Sequence, residues 1–246
     1  MISADNFDPV EDRRDAASKN QYVRRMFNDI SRHYDFLNHF LSAGVDRLWR
    51  RKAVKLSGLA EGDMFLDAAC GTGDLSIEAA KSNPRKIVGV DFAENMLSGF
   101  RIKKMSFGLD GKIEMLQASA EELPFPGGAF DVAAVAFGAR NFGDLRKGLA
   151  EMHRVLKSGG RIVVLEFSKP RVFPVKQIYF LYFRHILPAV GKIVSGDGSA
   201  YTYLPESVSA FPDGDDFAEL MRSVNFREIR SVPMTFGIAT AYCGIK

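Results

Sequence analysis

Residues 64–76, Met-Phe-Leu-Asp-Ala-Ala-Cys-Gly-Thr-Gly-Asp-Leu-Ser, constrain the fold of this chain more than any other stretch. An apolar run from Met64 to Ala68 breaks at Gly71-Thr72-Gly73, and a helical pattern (Leu75, Ile77, Ala79, Ala80) starts at once. Strand, tight glycine turn and helix form the first unit of a doubly wound α/β sheet, with a ligand at the turn. A dinucleotide fingerprint would carry a third glycine and seat a pyrophosphate on the helix N-terminus. Here Ser76 takes that third position and Asp74 follows the second glycine. A carboxylate there suits the helix dipole as a cap and repels a phosphate on the same amides. Asp67, at the end of the strand, adds a second negative charge.

The next strand, Lys86-Ile87-Val88-Gly89-Val90-Asp91, also ends in a carboxylate. Asp91 stands where doubly wound folds place the group that binds a ribose hydroxyl. A nucleoside with positive charge and no phosphate satisfies both features. S-adenosylmethionine, with a sulfonium and an ammonium, has that chemistry.

The remaining core alternates in the same way. Strands are expected at 64–68, 86–91, 113–117, 130–136 and 161–167, and helices near 74–82, 94–106 and 144–156. Lys157–Gly160 closes the last of these helices. Two further strands, 226–232 and 238–245, are separated by a turn at Thr235-Phe236-Gly237, too short for anything but an antiparallel pair. Five parallel strands and a terminal hairpin make a doubly wound, mostly parallel seven-stranded sheet, the Rossmann-like class I S-adenosylmethionine-dependent methyltransferase arrangement.

At 246 residues the chain suits a single domain with elaborations. Residues 1–19 are polar and expected to be a loose tail; residues 20–246 form the domain. A helical cap is expected over 20–60, beginning with a helix near 20–31. Its basic cluster Arg47, Arg50, Arg51, Lys52 and Lys55 suits either a solvated helix face or contact with anionic lipid head groups. Residues 172–211 are rich in aromatics and interrupt the core pattern between strands five and six. They read as a buried helix over Val175–Leu187, or as a lid for a large apolar substrate.

A net charge of +3 gives no nucleic-acid signature, and none is expected as a partner. The two cysteines, Cys70 and Cys243, form neither a disulfide framework nor a metal motif, and Cys70 is read as packing inside the turn. No signal-peptide pattern or membrane-spanning run occurs, so a cytoplasmic location is expected.

Several separate motifs carry a resemblance across nearly the whole chain. They are Tyr34-Asp35-Phe36-Leu37-Asn38 with Ser42, Gly44 and Trp49; Gly71-Thr72-Gly73-Asp74; Phe137-Gly138-Ala139-Arg140-Asn141-Phe142-Gly143-Asp144; Glu166-Phe167-Ser168-Lys169-Pro170; and Tyr201-Thr202-Tyr203-Leu204 with Ser207 and Phe211-Pro212. Together they resemble the ubiquinone/menaquinone biosynthesis C-methyltransferases, whose menaquinone branch is demethylmenaquinone methyltransferase. The resemblance implies methyl transfer from S-adenosylmethionine to a ring carbon of a polyprenylated quinol, with demethylmenaquinol as the first expectation and a methoxybenzoquinol as the second. It implies cofactor contacts at Thr72, Asp91, Ser119 and Ala120, beside Asp67, Gly71 and Gly73 of the turn. Three positions depart from the family pattern: Asp46 stands where His is common, Ser119 where Asn is, and Ala136 where Ser is.

Such a reaction needs an ionised hydroxyl beside the accepting carbon. A cation and a hydrogen-bond donor in a dry pocket favour that ionisation, and Arg140 and Asn141 are the candidates. Asp144 is a third catalytic candidate and, alternatively, the N-cap of the following helix. No metal is required. The expected partners are the quinol, a transient membrane surface at the inner face of the cytoplasmic membrane, and a homodimer or a quinone-synthesis complex. The competing functions are another small-molecule O- or N-methyltransferase, a nicotinamide oxidoreductase, or a non-catalytic cofactor-binding subunit.

Overall fold

The structure, a computed structural model, describes residues 16–42, 44–182 and 199–246. Seven strands form one sheet: β1 (Met64–Ala68), β2 (Lys86–Asp91), β3 (Ile113–Gln117), β4 (Phe130–Ala136), β5 (Leu156–Phe167), β6 (Arg227–Met234) and β7 (Ala239–Ile245). Their order is β3-β2-β1-β4-β5-β7-β6. Neighbours from β3 to β5 pair in parallel, while β7 runs antiparallel to both β5 and β6. Six strands therefore point one way, and their carboxyl ends share one edge. The order reverses between β1 and β4, which makes the loops after those two strands the switch point where doubly wound folds bind ligands.

Alternation along the central strands loads both faces. Phe65, Val132 and Ala134 pack with Val54 of α2 (Val45–Ser57), Leu75 and Ala79 of α3 (Asp74–Ala80), and Leu97 and Phe100 of α4 (Glu94–Ser106). Leu66, Ala133 and Val135 face the other way, onto Leu149 and Met152 of α5 (Leu145–Val155) and onto Phe217 and Met221 of a helix over Asp215–Ser223. This period of two explains why β1 and β4 read as continuous apolar runs: both sides are covered.

Three elements differ from expectation. The first helix, α1, runs unbroken from Ala16 to Leu41, so it starts inside the expected tail and continues past 31. Strand β5 begins at Leu156 rather than 161, because Leu156 pairs with Phe130 across a register shift. Gly159, at φ +73°, lets the chain pass through that bulge. In the aromatic segment, α6 covers Val175–Leu181 and α7 covers Ser199–Ala210, with Asp215–Ser223 then being α8. The remainder of the helix expected to reach Leu187 lies outside the described residues. Pro233 is accommodated in β6 because that strand is the sheet edge.

Candidate active site

The loops after β1, β2, β3 and β4 enclose a cleft of about 790 Å³, including its open mouth. At its floor the glycine turn is held by a carboxylate. Gly71 N–H donates to Asp91 Oδ2 (2.8 Å), and Ala93 N–H donates to Asp91 Oδ1 (2.9 Å). Each oxygen keeps a second lone pair with which to accept a hydroxyl. Asp67 is fully buried and accepts from Ser76 Oγ (2.6 Å). Ser76, which displaces the third glycine of a dinucleotide motif, thus orients Asp67. Burial pushes the Asp67 carboxyl up to about 7 and the Asp91 carboxyl up to about 6. A cation bound between them favours the ionised form of both.

Thr72 and Asp74 line the same cleft, but Asp74 does not cap α3. Its carboxylate lies 2.6 Å from Lys103 Nζ and 3.6 Å from Arg50 Nη2. Its charge is therefore largely met by protein cations, and the bias against phosphate rests on Asp67 and Asp91. Gly73 does not line the cleft; it sits at φ +85° and a Cβ there would stand 2.0 Å from the Phe100 ring. Cys70 is buried, and burial together with Asp67 and Asp91 pushes its thiol well up, so it packs rather than reacts. Ser119 and Ala120 line the wall after β3, with Ser119 Oγ accepting from Glu121 N–H (3.1 Å).

The loop after β4 closes the cleft with Phe137, Gly138, Asn141 and Phe142. Asn141 is buried, and its Oδ1 accepts from Tyr203 Oη (3.1 Å) of α7. Arg140 points away. Its Nη1 donates to both Glu166 oxygens (3.1 and 3.0 Å) and to Phe137 O (2.5 Å), and it lines a separate groove beside Tyr203 and Phe211. Burial pushes the Glu166 carboxyl up, while Arg140 pulls it down. Asp144 is exposed and outside the cleft; its Oδ1 accepts from Lys147 N–H (2.9 Å) as the N-cap of α5. Of the three catalytic candidates, only Asn141 faces the cleft.

Two structural residues here carry no sequence motif of their own. Glu121 is buried; its Oε1 accepts from Gly143 N–H (2.8 Å) and Asn20 Nδ2 (3.1 Å), and its Oε2 from Asp144 N–H (3.1 Å). Lys19 Nζ donates to Arg140 O (3.2 Å) and Phe142 O (2.5 Å). Burial pushes the Lys19 ammonium down, against the pull of Glu121. The N-terminal turns of α1 thus clamp the loop that presents Asn141. Arg50, expected as part of an exposed basic cluster, is instead buried in the cleft wall, paired with Asp46 and reaching Asp74. The departure at Asp46 therefore supplies an internal partner for Arg50, and Ser42 Oγ donates to the same carboxylate (2.7 Å).

The model of the ubiE/COQ5 methyltransferase family matches residues 15–246. The chain belongs to this family. It is 50% identical over 230 residues to the ubiquinone/menaquinone biosynthesis C-methyltransferase UbiE of Geobacter sulfurreducens, covering 93% of this chain and 90% of that one. It is 45% identical over 246 residues to the demethylmenaquinone methyltransferase of Deinococcus radiodurans, covering all of both chains. Among solved structures, the [4+2]-cyclase SpnF matches with TM-score 0.67 at 16% identity, covering 92% of this chain and 96% of that one. A SAM-dependent methyltransferase from Aquifex aeolicus matches with TM-score 0.60 at 18% identity, covering 98% and 99%. At such identities these two bear on the fold alone.

The chain is a methyltransferase, and S-adenosylmethionine is its methyl donor. The donor set of the cleft fits that group: two buried carboxylates with raised proton affinity, the small Ala136 and Ala120 walls, and, among the described residues that line it, a single cation, Arg50, that is already paired with Asp46 and reaches Asp74. Asp67, Thr72, Asp91, Ser119 and Ala120 all line this cleft.

Proposed function

We propose that this chain methylates a ring carbon of a polyprenylated quinol, with demethylmenaquinol as the acceptor and menaquinol as the product. The names of the two relatives described above read ubiquinone/menaquinone biosynthesis C-methyltransferase and demethylmenaquinone methyltransferase, and the single observation in this chain that supports the reading is the placement of Asn141. Its amide faces the cleft at the end of β4, beside the apolar rings of Phe137 and Phe142. A flat hydroxylated ring lodged there meets one hydrogen-bonding group against two aromatic walls.

When bound, S-adenosylmethionine supplies a methyl group as an electrophile on its sulfonium. The chain's own task is to make the ring carbon a nucleophile. A phenolic hydroxyl has a pKa of about 10, so bringing it to neutrality takes roughly 4 kcal/mol. Asn141 Nδ2, 3.4 Å from Phe137 O, is only weakly engaged and can donate to an oxyanion instead. Tyr203 Oη fixes the orientation of that amide by donating to Oδ1. Arg140 works from behind the loop: bound to Glu166 and Phe137 O, it holds the backbone that carries Asn141. Phe92, Phe137 and Phe142 exclude water, which strengthens each of these interactions.

The test is transfer of labelled methyl from S-adenosylmethionine to chemically reduced demethylmenaquinol and to a polyprenyl methoxybenzoquinol, with the product's methyl position read by NMR. Label on the naphthoquinol ring carbon is expected. Label on oxygen, or on neither acceptor with cofactor binding intact, overturns the reading. Contact with a membrane surface belongs to the same proposal, because the acceptor's tail resides in lipid; among the described residues no helix is long and apolar enough to cross one.

A further inference from the structure

The carboxyl edge of the sheet, where the cleft opens, also carries a concentration of exposed apolar side chains. After β5 come Val172 (55% exposed), Phe173 (78%), Ile178 (62%) and Leu181 (59%), and after β6 comes Phe236 (71%). The two segments are joined: Ser168 Oγ donates to Gly237 O (2.9 Å) and Ser168 N–H donates to Ile238 O (3.0 Å). Helix α2 lies against the second one through Trp49 Nε1, which donates to Thr235 Oγ1 (2.8 Å), and it adds Leu48 (59% exposed). Side chains of this size are ordinarily turned inward, and several on one edge mark an interaction surface.

Along the segments that carry these apolar side chains the charges have one sign, and the acid packed beside them, Asp213, is met by Lys169 (3.4 Å). No Asp or Glu occurs between Arg47 and Ser57, between Ser168 and Tyr182, or after Glu228. Arg47 is exposed near the end of α2 that meets this edge, and Arg171 and Lys176 are exposed on the segment that carries Phe173 and Ile178. Lys52 and Lys55 lie toward the other end of α2, where Gly58 O accepts from Arg161 at the start of the parallel part of β5. Arg51 is exposed too, but its Nε lies 3.3 Å from Glu78 Oε1, so part of its charge is met. Apolar and aromatic tips ringed by lysine and arginine match the acyl boundary and head groups of an anionic bilayer, with electrostatic and apolar contributions acting together.

We propose that this edge, formed by α2, the Val172–Leu181 segment and the Phe236 turn, docks on an anionic lipid bilayer and brings the cleft mouth to the membrane surface. The inference rests on the quinol reading, since it places the opening where a polyprenylated acceptor resides. Phe173, Ile178 and Phe236 enter the acyl boundary while Arg47, Arg171 and Lys176 meet lipid phosphates. Direct capture from the bilayer follows, without transfer of the tail through water.

The experiment is flotation of the full chain with vesicles of phosphatidylcholine and phosphatidylglycerol, and with vesicles of phosphatidylcholine alone. Binding to the anionic vesicles is expected to be at least about tenfold tighter and to weaken as salt rises. The double variant Phe173→Asp, Phe236→Asp should reduce it by about tenfold or more, whereas Phe107→Asp, exposed beyond α4, should leave it unchanged. Each variant is also assayed with a short-tailed quinol in solution and with a long-tailed quinol in vesicles. The docking variant should retain the first activity and lose most of the second. Equal binding to neutral vesicles, equal loss with Phe107→Asp, or self-association through the same residues without vesicle binding overturns the surface. Absence of methyl transfer to the short-tailed quinol by the unaltered chain overturns the quinol reading instead, whatever the vesicles show.

Discussion

Arg140 and Glu166 show how one residue's role follows from its partner. Arg140 has side-chain exposure of 8% and Glu166 has none. A pair this buried adds little net stability, but removing one member leaves the other charge in an apolar setting. Arg140→Met is therefore expected to destabilise the fold by roughly 3 kcal/mol in urea unfolding, and Glu166→Gln added to it should restore most of the loss. If the double variant is no more stable than the single one, the pairing does not carry the effect. Asn141→Ala separates binding from chemistry. The loss of one donor to a developing oxyanion typically slows turnover by about a hundredfold, while S-adenosylmethionine affinity should stay within a few-fold by calorimetry. An equal fall in both would move Asn141 to the cofactor side. The cleft residues Asp67 and Asp91 were legible in the sequence because their carboxylates sit at strand ends, and Thr72 because it lies inside the local strand–turn–helix unit. The direction of Arg140 was not, because it is set by Glu166, 26 residues away on another strand. Asp144 carried both readings in the sequence, and its bond to Lys147 N–H decides for the cap.

At the level of elements, α1 is the part whose position has the least local cause. It meets the rest of the chain through the loop after β4, through Val23 and Met26 packed with Tyr203, and through Asn28, whose backbone O and Oδ1 accept from Asn95. The helical spacing of Tyr22, Val23, Met26 and Phe27 announced a helix, but the N-terminal extension to Ala16 depends on docking of Lys19 and Asn20, which no spacing reveals. Strand β5 is similar: the Gly159-Gly160 pair looked like a terminator, yet it becomes a bulge because β4 offers Phe130 as a partner. Gly143 is where the α1 clamp can be tested. A Cβ there would stand 2.5 Å from Ala16 O and 2.8 Å from Asn20 Nδ2. Gly143→Ala should push the first turns of α1 off the loop, raising the Kd for S-adenosylmethionine by about tenfold, or roughly 1.4 kcal/mol. The first turns of α1 should become more open to limited proteolysis at the same time. An unchanged Kd with unchanged proteolysis would mean that the loop itself yields.

For the molecule as a whole, the two buried carboxylates of the cleft link folding, ligand binding and pH in opposite directions. An unfolded chain releases the Asp67 and Asp91 protons near the ordinary value of about 3.9, whereas the folded chain holds them up to about 7 and about 6. The folded state thus binds more protons between these limits. The stability that protonation lends is complete below about pH 4 and is lost as pH rises through 6 and then 7, on the order of several kcal/mol for both groups together. A positively charged ligand reverses the balance, because it favours the ionised carboxylates and must displace any proton that they carry. S-adenosylmethionine affinity should therefore be highest at pH 8, where both groups are ionised, and fall through pH 7 to 5. S-adenosylhomocysteine lacks the sulfonium charge and should show a shallower dependence. Thermal melts of the unliganded chain should move the other way, with the contribution of these groups to Tm declining from pH 5 to 8. Asp67→Asn removes the upper titration while its amide oxygen can still accept from Ser76 Oγ. That variant should be more stable than the parent at pH 8, bind S-adenosylmethionine more weakly there, and lose the pH dependence between 7 and 8. Calorimetry and melts across this range test both slopes together; a parent Kd that is flat from pH 5 to 8 would refute the linkage, even if the melts behaved as expected.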